Sequence, residues 1–329
     1  MSPQQSSTGG SKYCLWRTQQ GSDHIIMSTN RQEMNQRGNS VTKQLIMALI
    51  TVVFLNGCMG ARIKFETYYL FDVASGKRNT LGKALSSLRK NKIILVGERH
   101  HQESHHIAQL LIIRALHDSG MPVAIGLEMF RAESQNALDR WVSGKMSKEN
   151  FQKVYSQNWH VAWHFYGKIL EYAKKEKIPL VALNVPSAIT QKVAQEGFQS
   201  LTQQEKGELS DVGCRADRDY MAFIRKAYGA RAHGQLNFTY FCEAQLVWDN
   251  VMAINALKYL KANPEFSMIL LAGTGHAWKP GVPEQIRQRS NLLYTVILPH
   301  VPGNIEPGIV KLNDCDYIMF GLFDAASSP

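Results

Sequence analysis

Glu98, His100, Glu128 and His276 are the residues of this sequence best suited to chemistry. Glu98 and His100 lie in Gly97-Glu98-Arg99-His100, and His276 closes Gly273-Thr274-Gly275-His276, so Gly-x-x-His occurs twice. Glu128 follows Ile125-Gly126-Leu127. Two carboxylates and two imidazoles can hold a divalent transition metal such as Mn²⁺, Co²⁺ or Zn²⁺, which activates water for hydrolysis. They can also work without a metal, each carboxylate orienting a histidine for acid–base catalysis. Glu128 has two plainer roles open to it, capping the helix that starts at Ala132 or pairing with Arg131.

All three stretches follow short apolar runs: Ile93-Ile94-Leu95-Val96, Val123-Ala124-Ile125 and Ile269-Leu270-Leu271-Ala272. Such runs read as buried strands, and a polar residue just beyond one sits at its carboxyl end. In open α/β sheets ligands bind along that edge. Side by side, the two Gly-x-x-His strands would put Glu98, His100 and His276 in one crevice.

The rest of the chain supplies the frame. Strands are expected at 65–72, 123–127, 180–183, 268–272, 294–298 and 316–320, besides the run into Gly97. Helices are expected at 81–89, 104–116, 132–142 and 166–175, with a short one opening at Pro283. Gly120 and Gly144 stop two of them, and Asn184-Val185-Pro186 ends a strand. Residues 187–263 are mainly helical, an insertion or lid beside the crevice. Alternation of strand and helix predicts an α/β fold with a parallel-rich sheet flanked by helices.

Four more groups bear on the site. His101 and His105 share a face if both are helical, a spacing that suits a metal, and solvated surface is the plainer reading. The stretch 159–166, Trp-His-Val-Ala-Trp-His-Phe-Tyr, is either core or a flat aromatic surface with haem-ligand types. Arg99, with Arg215, Arg218, Arg225, Lys226 and Arg231, could pair with propionates or form a solvated face. Gln245, Trp248, Asp249 and Met252 lie on one helical face. Asp249, if buried, needs a partner, and bracing a site histidine would provide one.

The chain has 329 residues, 44% hydrophobic, and a formal charge of +10. Residues 1–57 carry five basic and two acidic residues, so the remainder holds 32 and 25, or +7. That excess is scattered, with no basic helix interleaved with aromatics, which argues against a nucleic-acid partner. A mildly positive surface suits an anionic ligand or membrane face. Residues 45–55 are apolar, too short to span a bilayer, and preceded by Arg37 and Lys43. They fit a secretion signal. Leu55-Asn56-Gly57-Cys58 resembles a bacterial lipoprotein box, Asn56 departing from the usual Ala or Ser. That resemblance implies lipidation of Cys58, and Met59 after it implies the outer membrane. Met27 or Met34 would give a leader of ordinary length. Cys214, Cys242 and Cys315 then remain in 58–329, which is expected to be one domain. An odd count without Cys-x-x-Cys is neither a disulfide scaffold nor a thiolate zinc site.

Taken together, Gly97-Glu98-x-His100 with His105-His106, Gly126-Leu127-Glu128-Met129, Asn184-Val185-Pro186, Ala244-Gln245-x-x-Trp248-Asp249-x-x-Met252-Ala253, and Gly275-His276 with Gly281-Val282-Pro283 resemble the ChaN-like haem-binding lipoprotein family. That family shares its Gly-x-x-His elements with Tiki proteases, TraB proteins and erythromycin esterases. The resemblance implies a membrane-anchored haem-binding protein of the cell envelope, serving iron acquisition with an outer-membrane haem uptake system. It also implies a tyrosine on the haem iron and two haems face to face in a homodimer. Tyr166 and Tyr220 are the tyrosines in suitable stretches, beside His100 and His276 as further haem-binding candidates. The wider superfamily implies Glu98, His100, Glu128 and His276 as a metal-dependent hydrolytic site. Arg99, a cation in the variable position, weighs toward haem propionates or metal-free chemistry.

Overall fold

Strand-end residues meet on one edge only if their strands are neighbours, and here they are. The computed structural model describes residues 68–209, 212–213, 216–228 and 237–321. One sheet holds eight strands: β1 (Tyr68–Asp72), β2 (Lys77–Thr80), β3 (Ile93–Glu98), β4 (Val123–Arg131), β5 (Leu180–Asn184), β6 (Ser267–Gly273), β7 (Tyr294–Pro299) and β8 (Tyr317–Gly321). Their order is β2-β1-β8-β7-β3-β6-β4-β5. The six strands from β8 to β5 run parallel, and β1 is antiparallel to both its neighbours. β3 and β6, the two Gly-x-x-His strands, pair directly with Glu98 opposite Gly273.

The apolar runs are continuous because these strands are covered on both faces. Side chains alternate between faces. Ile94, Val96, Ile125, Leu127, Ile269 and Leu271 pack into one core. Ile93, Leu95, Ala124, Met268, Leu270 and Ala272 pack into the other. The first core is roofed by α1 (Leu81–Leu88), α2 (Glu103–Asp118), α3 (Gln135–Val142), α4 (Lys148–Asn158) and α5 (Trp163–Glu176). The second is roofed by α8 (Arg218–Tyr228), α9 (Phe238–Ala262), α10 (Thr274–Ala277) and α11 (Val282–Arg289). Between them in sequence lie α6 (Ser187–Glu196) and α7 (Gln203–Glu208); Ile189 and Val193 of α6, Leu201 and Leu209 on either side of α7, and Ala244 and Val247 of α9 form a small third core. The expected helical stretch 187–263 is therefore present among the described residues. Its last helix, α9, also covers the sheet.

The sheet closes with polar devices. At the β5 edge the Gln135 side chain donates to the Leu180 carbonyl at 2.8 Å and accepts from the Ala182 amide at 2.8 Å. At the other edge β2 is short and mostly exposed.

Several expectations shift. β4 runs on to Arg131, with an irregularity between Leu127 and Arg131, so Glu128 lies within the strand. The plainer roles for Glu128 are not realised: Arg131 pairs with Glu133, and Ser134 stands at the start of α3. α4 and β2 have no counterpart among the elements the sequence predicts. α5 begins at Trp163, three residues early, which puts the second half of the aromatic stretch in its first turn. α2 begins at Glu103, so His101 precedes the helix and shares no helical face with His105. Cys242 and Cys315 are separate buried thiols. The leader, Cys58, residues 65–67 of the first expected strand, Cys214, Arg215 and Arg231 lie outside the described residues. No described helix is long and apolar enough to cross a membrane.

Candidate functional site

The carboxyl ends of β3, β6 and β4 form adjacent parts of one edge, and each delivers part of the site. β3 ends on Glu98, and the chain turns through Arg99 to His100. The turn is tight: a Cβ on Gly97 would lie 2.9 Å from Leu298 Cδ2 and 3.2 Å from Ala277 Cβ, so glycine lets the strand end settle against its neighbours. Past β6 the chain enters α10, which carries His276. β4 contributes Glu128.

Each motif histidine is braced in the same way. His100 Nδ1 lies 2.5 Å from Glu98 Oε1, and the Tyr166 hydroxyl donates to that same oxygen at 2.8 Å. His276 Nδ1 lies 2.7 Å from Asp249 Oδ1, and the Tyr220 hydroxyl donates to Asp249 Oδ2 at 2.6 Å. The result is two phenol–carboxylate–imidazole chains. Bracing through Nδ1 fixes the ring and leaves Nε2 for other work.

Glu128 belongs to both. Its Oε2 accepts from the Gly273 amide at 2.6 Å, and its Oε1 lies 3.9 Å from His276 Nε2. A Cβ on Gly273 would sit 2.8 Å from His100 Cε1 and 3.6 Å from Glu128 Oε2, so the bare backbone of Gly273 lets the imidazole and the carboxylate approach. Asn184 anchors the irregular part of β4, its amide donating to the Glu128 carbonyl at 2.7 Å.

The charges follow from this packing. Burial disfavours the His100 cation, but the bond to Glu98 and the charges of Glu128 and Glu98 outweigh it, raising its pKa to about 9. Burial also opposes the His276 cation, and the charges of Asp249 and Glu128 outweigh it, so its pKa is raised as well. Burial first, then the charge of Glu98, pushes the Tyr166 phenol far above the usual tyrosine value. Tyr166 thus serves as a hydrogen-bond donor and not as a phenolate.

His105 and His106 hold the first turn. His105 Nδ1 accepts from the Arg99 amide at 3.0 Å. His106 Nε2 lies 3.1 Å from the His100 carbonyl and 3.7 Å from Glu98 Oε2, and its Nδ1 lies 3.2 Å from Gln109 Oε1. Gln109 in turn donates to the Val96 carbonyl at 3.1 Å. His105 is buried, contrary to the solvated reading, whereas His101 is exposed as that reading requires.

These groups line a crevice of about 650 Å³. Trp159 stands at one side, its ring 5.0 Å from that of His100 and at 89° to it. Trp248 stands over His276 at 5.8 Å and 72°. Glu98, His100, Glu128 and His276 all reach the crevice, with Arg99 and His101 on its rim. Tyr166 and Tyr220 do not. Tyr166 lies behind Glu98, and Tyr220 lies behind Asp249 on the side of a second cavity of about 680 Å³. Arg225 stacks on Phe238, and Lys226 pairs with Asp314, so neither lines the crevice. The bracing role expected of Asp249 is what the structure shows. The sequence reading gave no role to His106 or Asn184. Only the spacing of His106 from Gln109, one helical turn, hinted at the first.

An α/β sheet that brings two braced histidines and a shared carboxylate to its carboxyl edge defines the class of protein. The model of the family described as "haem-binding uptake, Tiki superfamily, ChaN" matches residues 84–286, more than half of the chain, and the chain belongs to that family. Among solved structures, it is similar to ChaN of Campylobacter jejuni with cofacial haem, at 20% identity and a TM-score of 0.57, covering 77% of this chain and 96% of that one. An erythromycin esterase variant in its open conformation follows at 15% identity and a TM-score of 0.45, covering 78% and 83%. No curated protein matches the chain.

Proposed function

We propose that this protein binds haem as cargo in the crevice between Trp159 and Trp248. The observation that carries the reading is the combination of indole walls and imidazole donors in one cleft of about 650 Å³. A porphyrin needs a slot with flat apolar walls and a donor for its iron, and these residues supply both. Arg99 and His101 on the rim suit the propionates. Membership of a haem-binding uptake family supports the same reading.

The proposal extends to place and purpose. Cys58 carries the lipid that holds a single domain, residues 58–329, at the outer membrane, where it passes haem to an uptake system for iron acquisition as a homodimer. The apolar run 45–55 and the Cys58 box support the anchor. Titrating haem into the purified full chain tests the core of the reading. A saturable shift of the Soret band is expected, and a featureless titration removes the proposal. Labelled palmitate, expected in the native chain and absent from Cys58→Ser, tests the anchor.

A second reading, hydrolysis, is favoured by one observation: two braced imidazoles share Glu128, a geometry for activating water by acid–base work. Among the described residues no group of three His, Cys, Asp or Glu side chains is placed to hold a metal ion. Ester hydrolysis that resists chelators and is lost in Glu98→Ala or His276→Ala would establish it. No hydrolysis by the native chain would remove it.

A further inference from the structure

We infer that the sheet edge carrying the crevice is the membrane-facing side of the anchored protein, its partner an anionic phospholipid surface, an inference that rests on the Cys58 anchor proposed above. The first support is where the described chain begins. β1 is antiparallel to β8, and Tyr68 pairs with Gly321, the last residue of β8. β8 is parallel to β7, and β7 to β3, so the first residue of β1 lies at the same edge as Glu98 and Gly273. A side-chain bond fixes that entry beside the site. The Tyr68 hydroxyl donates to the Ser104 carbonyl at 3.3 Å, in the first turn of α2. Ser104 stands two residues past Gln102, and Gln102 lines the crevice together with Arg99 and His101.

The second support is reach. Ten residue steps separate Cys58 from Tyr68, and a chain advances at most 3.3–3.6 Å per residue, so the tether spans no more than about 35 Å whatever its course. A compact chain of about 250 residues has a radius of gyration of roughly 18 Å, and so a diameter of roughly 45 Å. With its amino edge on the lipid, the molecule would hold Tyr68 about one diameter away, beyond the reach of the tether. Upright or tilted, the crevice edge is the one kept near the lipid. Charge acts in the same direction. Arg99 and His101 are exposed on the rim. Two carboxylates of the same edge are neutralised, Glu103 by Lys168 at 3.1 Å and Glu133 by Arg131 at 3.0 Å. The tether itself carries Arg62 and Lys64 against the single acid Glu66. Cations within a Debye length of an anionic leaflet are drawn to it. The crevice therefore opens toward the lipid surface, and its ligand enters and leaves there.

The test uses the full chain, expressed with its leader and reconstituted in vesicles of phosphatidylethanolamine and phosphatidylglycerol. The photo-crosslinking residue p-benzoylphenylalanine replaces one exposed residue at a time: His101 or Pro302 at the crevice edge, Lys90 or Leu293 at the amino edge. Illumination is expected to give lipid adducts at 101 and 302 and none above background at 90 and 293. Adducts at 90 or 293 in equal or greater yield would overturn the inference. A spacer of about 20 Gly and Ser residues after Gly60 adds roughly 25 Å of mean reach and is expected to bring adducts to all four positions. Yields unchanged by the spacer would also overturn it, since reach would then not set the orientation. Hydrogen exchange of the native anchored chain needs no variant. Vesicles are expected to protect residues 99–102 and 301–305, and protection confined to 89–92 and 290–293 would overturn the inference. Labelled palmitate absent from the native chain would remove the anchor and this inference together. A labelled chain with the amino edge protected would remove this inference alone.

Discussion

The two histidine chains of the site use the same three groups but are assembled differently. His100 takes its carboxylate from Glu98, two residues back in the same turn. His276 takes its carboxylate from Asp249, 27 residues away on α9, which is itself fixed by Tyr220 of α8. The first chain is local and opens to the crevice, whereas the second ties two helices to the end of β6. The comparison separates a pair arranged for access from a pair that also holds the fold. Identical chemistry can therefore carry different shares of binding and stability, depending on how much chain it closes.

The largest expected effect tests that division. Asp249→Ala leaves His276 and the Tyr220 hydroxyl without their buried partner, which costs about 3–5 kcal/mol. His100→Ala is expected to cost less, about 1–3 kcal/mol, because the ring it removes is partly solvated and Tyr166 still donates to the buried Glu98 carboxylate left behind. Urea unfolding of the two variants measures both, and equal losses would erase the distinction. Next comes Asn184→Ala, which leaves the Glu128 carbonyl without its donor and costs about 1–3 kcal/mol. Its loss should also loosen Glu128, seen as weaker haem binding per unit of stability lost than in a core variant of equal cost.

Gly273→Ala addresses the open chain. The added Cβ, 2.8 Å from His100 Cε1, pushes the ring from its place. Haem affinity is expected to fall about tenfold, roughly 1.4 kcal/mol, with little change in thermal midpoint. An unchanged affinity would show that His100 has room to spare. The smallest effect is in pH. His100 has a folded-state pKa of about 9 against an ordinary 6.5, so its contribution to stability is complete below 6.5 and is lost as pH rises to about 9. The loss is of order 1 kcal/mol after discounting for partial exposure. Glu98→Gln should flatten that slope in a plot of unfolding free energy against pH.

Much of this was legible in the sequence, for identifiable reasons. Continuous apolar runs marked β3, β4 and β6, and the Gly-x-x-His repeats marked their ends. Asp249 betrayed itself because a carboxylate on an apolar helical face needs a partner. What stayed hidden depends on contacts distant in sequence or on weak patterns. α4 buries only Phe151 and Tyr155 among polar neighbours, too little to reveal a period. β2 is four residues at an exposed edge. The continuation of β4 through Glu128 depends on Asn184, 56 residues on. His105 and His106 grip the backbone of the Gly97–His100 turn, and composition gives no sign of such bonds. Tyr166 and Tyr220 stand out in the sequence, but only the fold shows that their hydroxyls end on Glu98 and Asp249 and that neither ring lines the crevice.

The Gln135 side chain at the border of β5 has a consequence for growth. A glutamine amide carries the same donor and acceptor as a peptide, and here it occupies the positions an arriving strand would claim first. The last strand therefore meets a single counterfeit residue in place of a ninth strand, and β-augmentation from that side is blocked where it would nucleate. At the opposite border β2 is short and mostly exposed, so among the described residues strand pairing is left open only on that side.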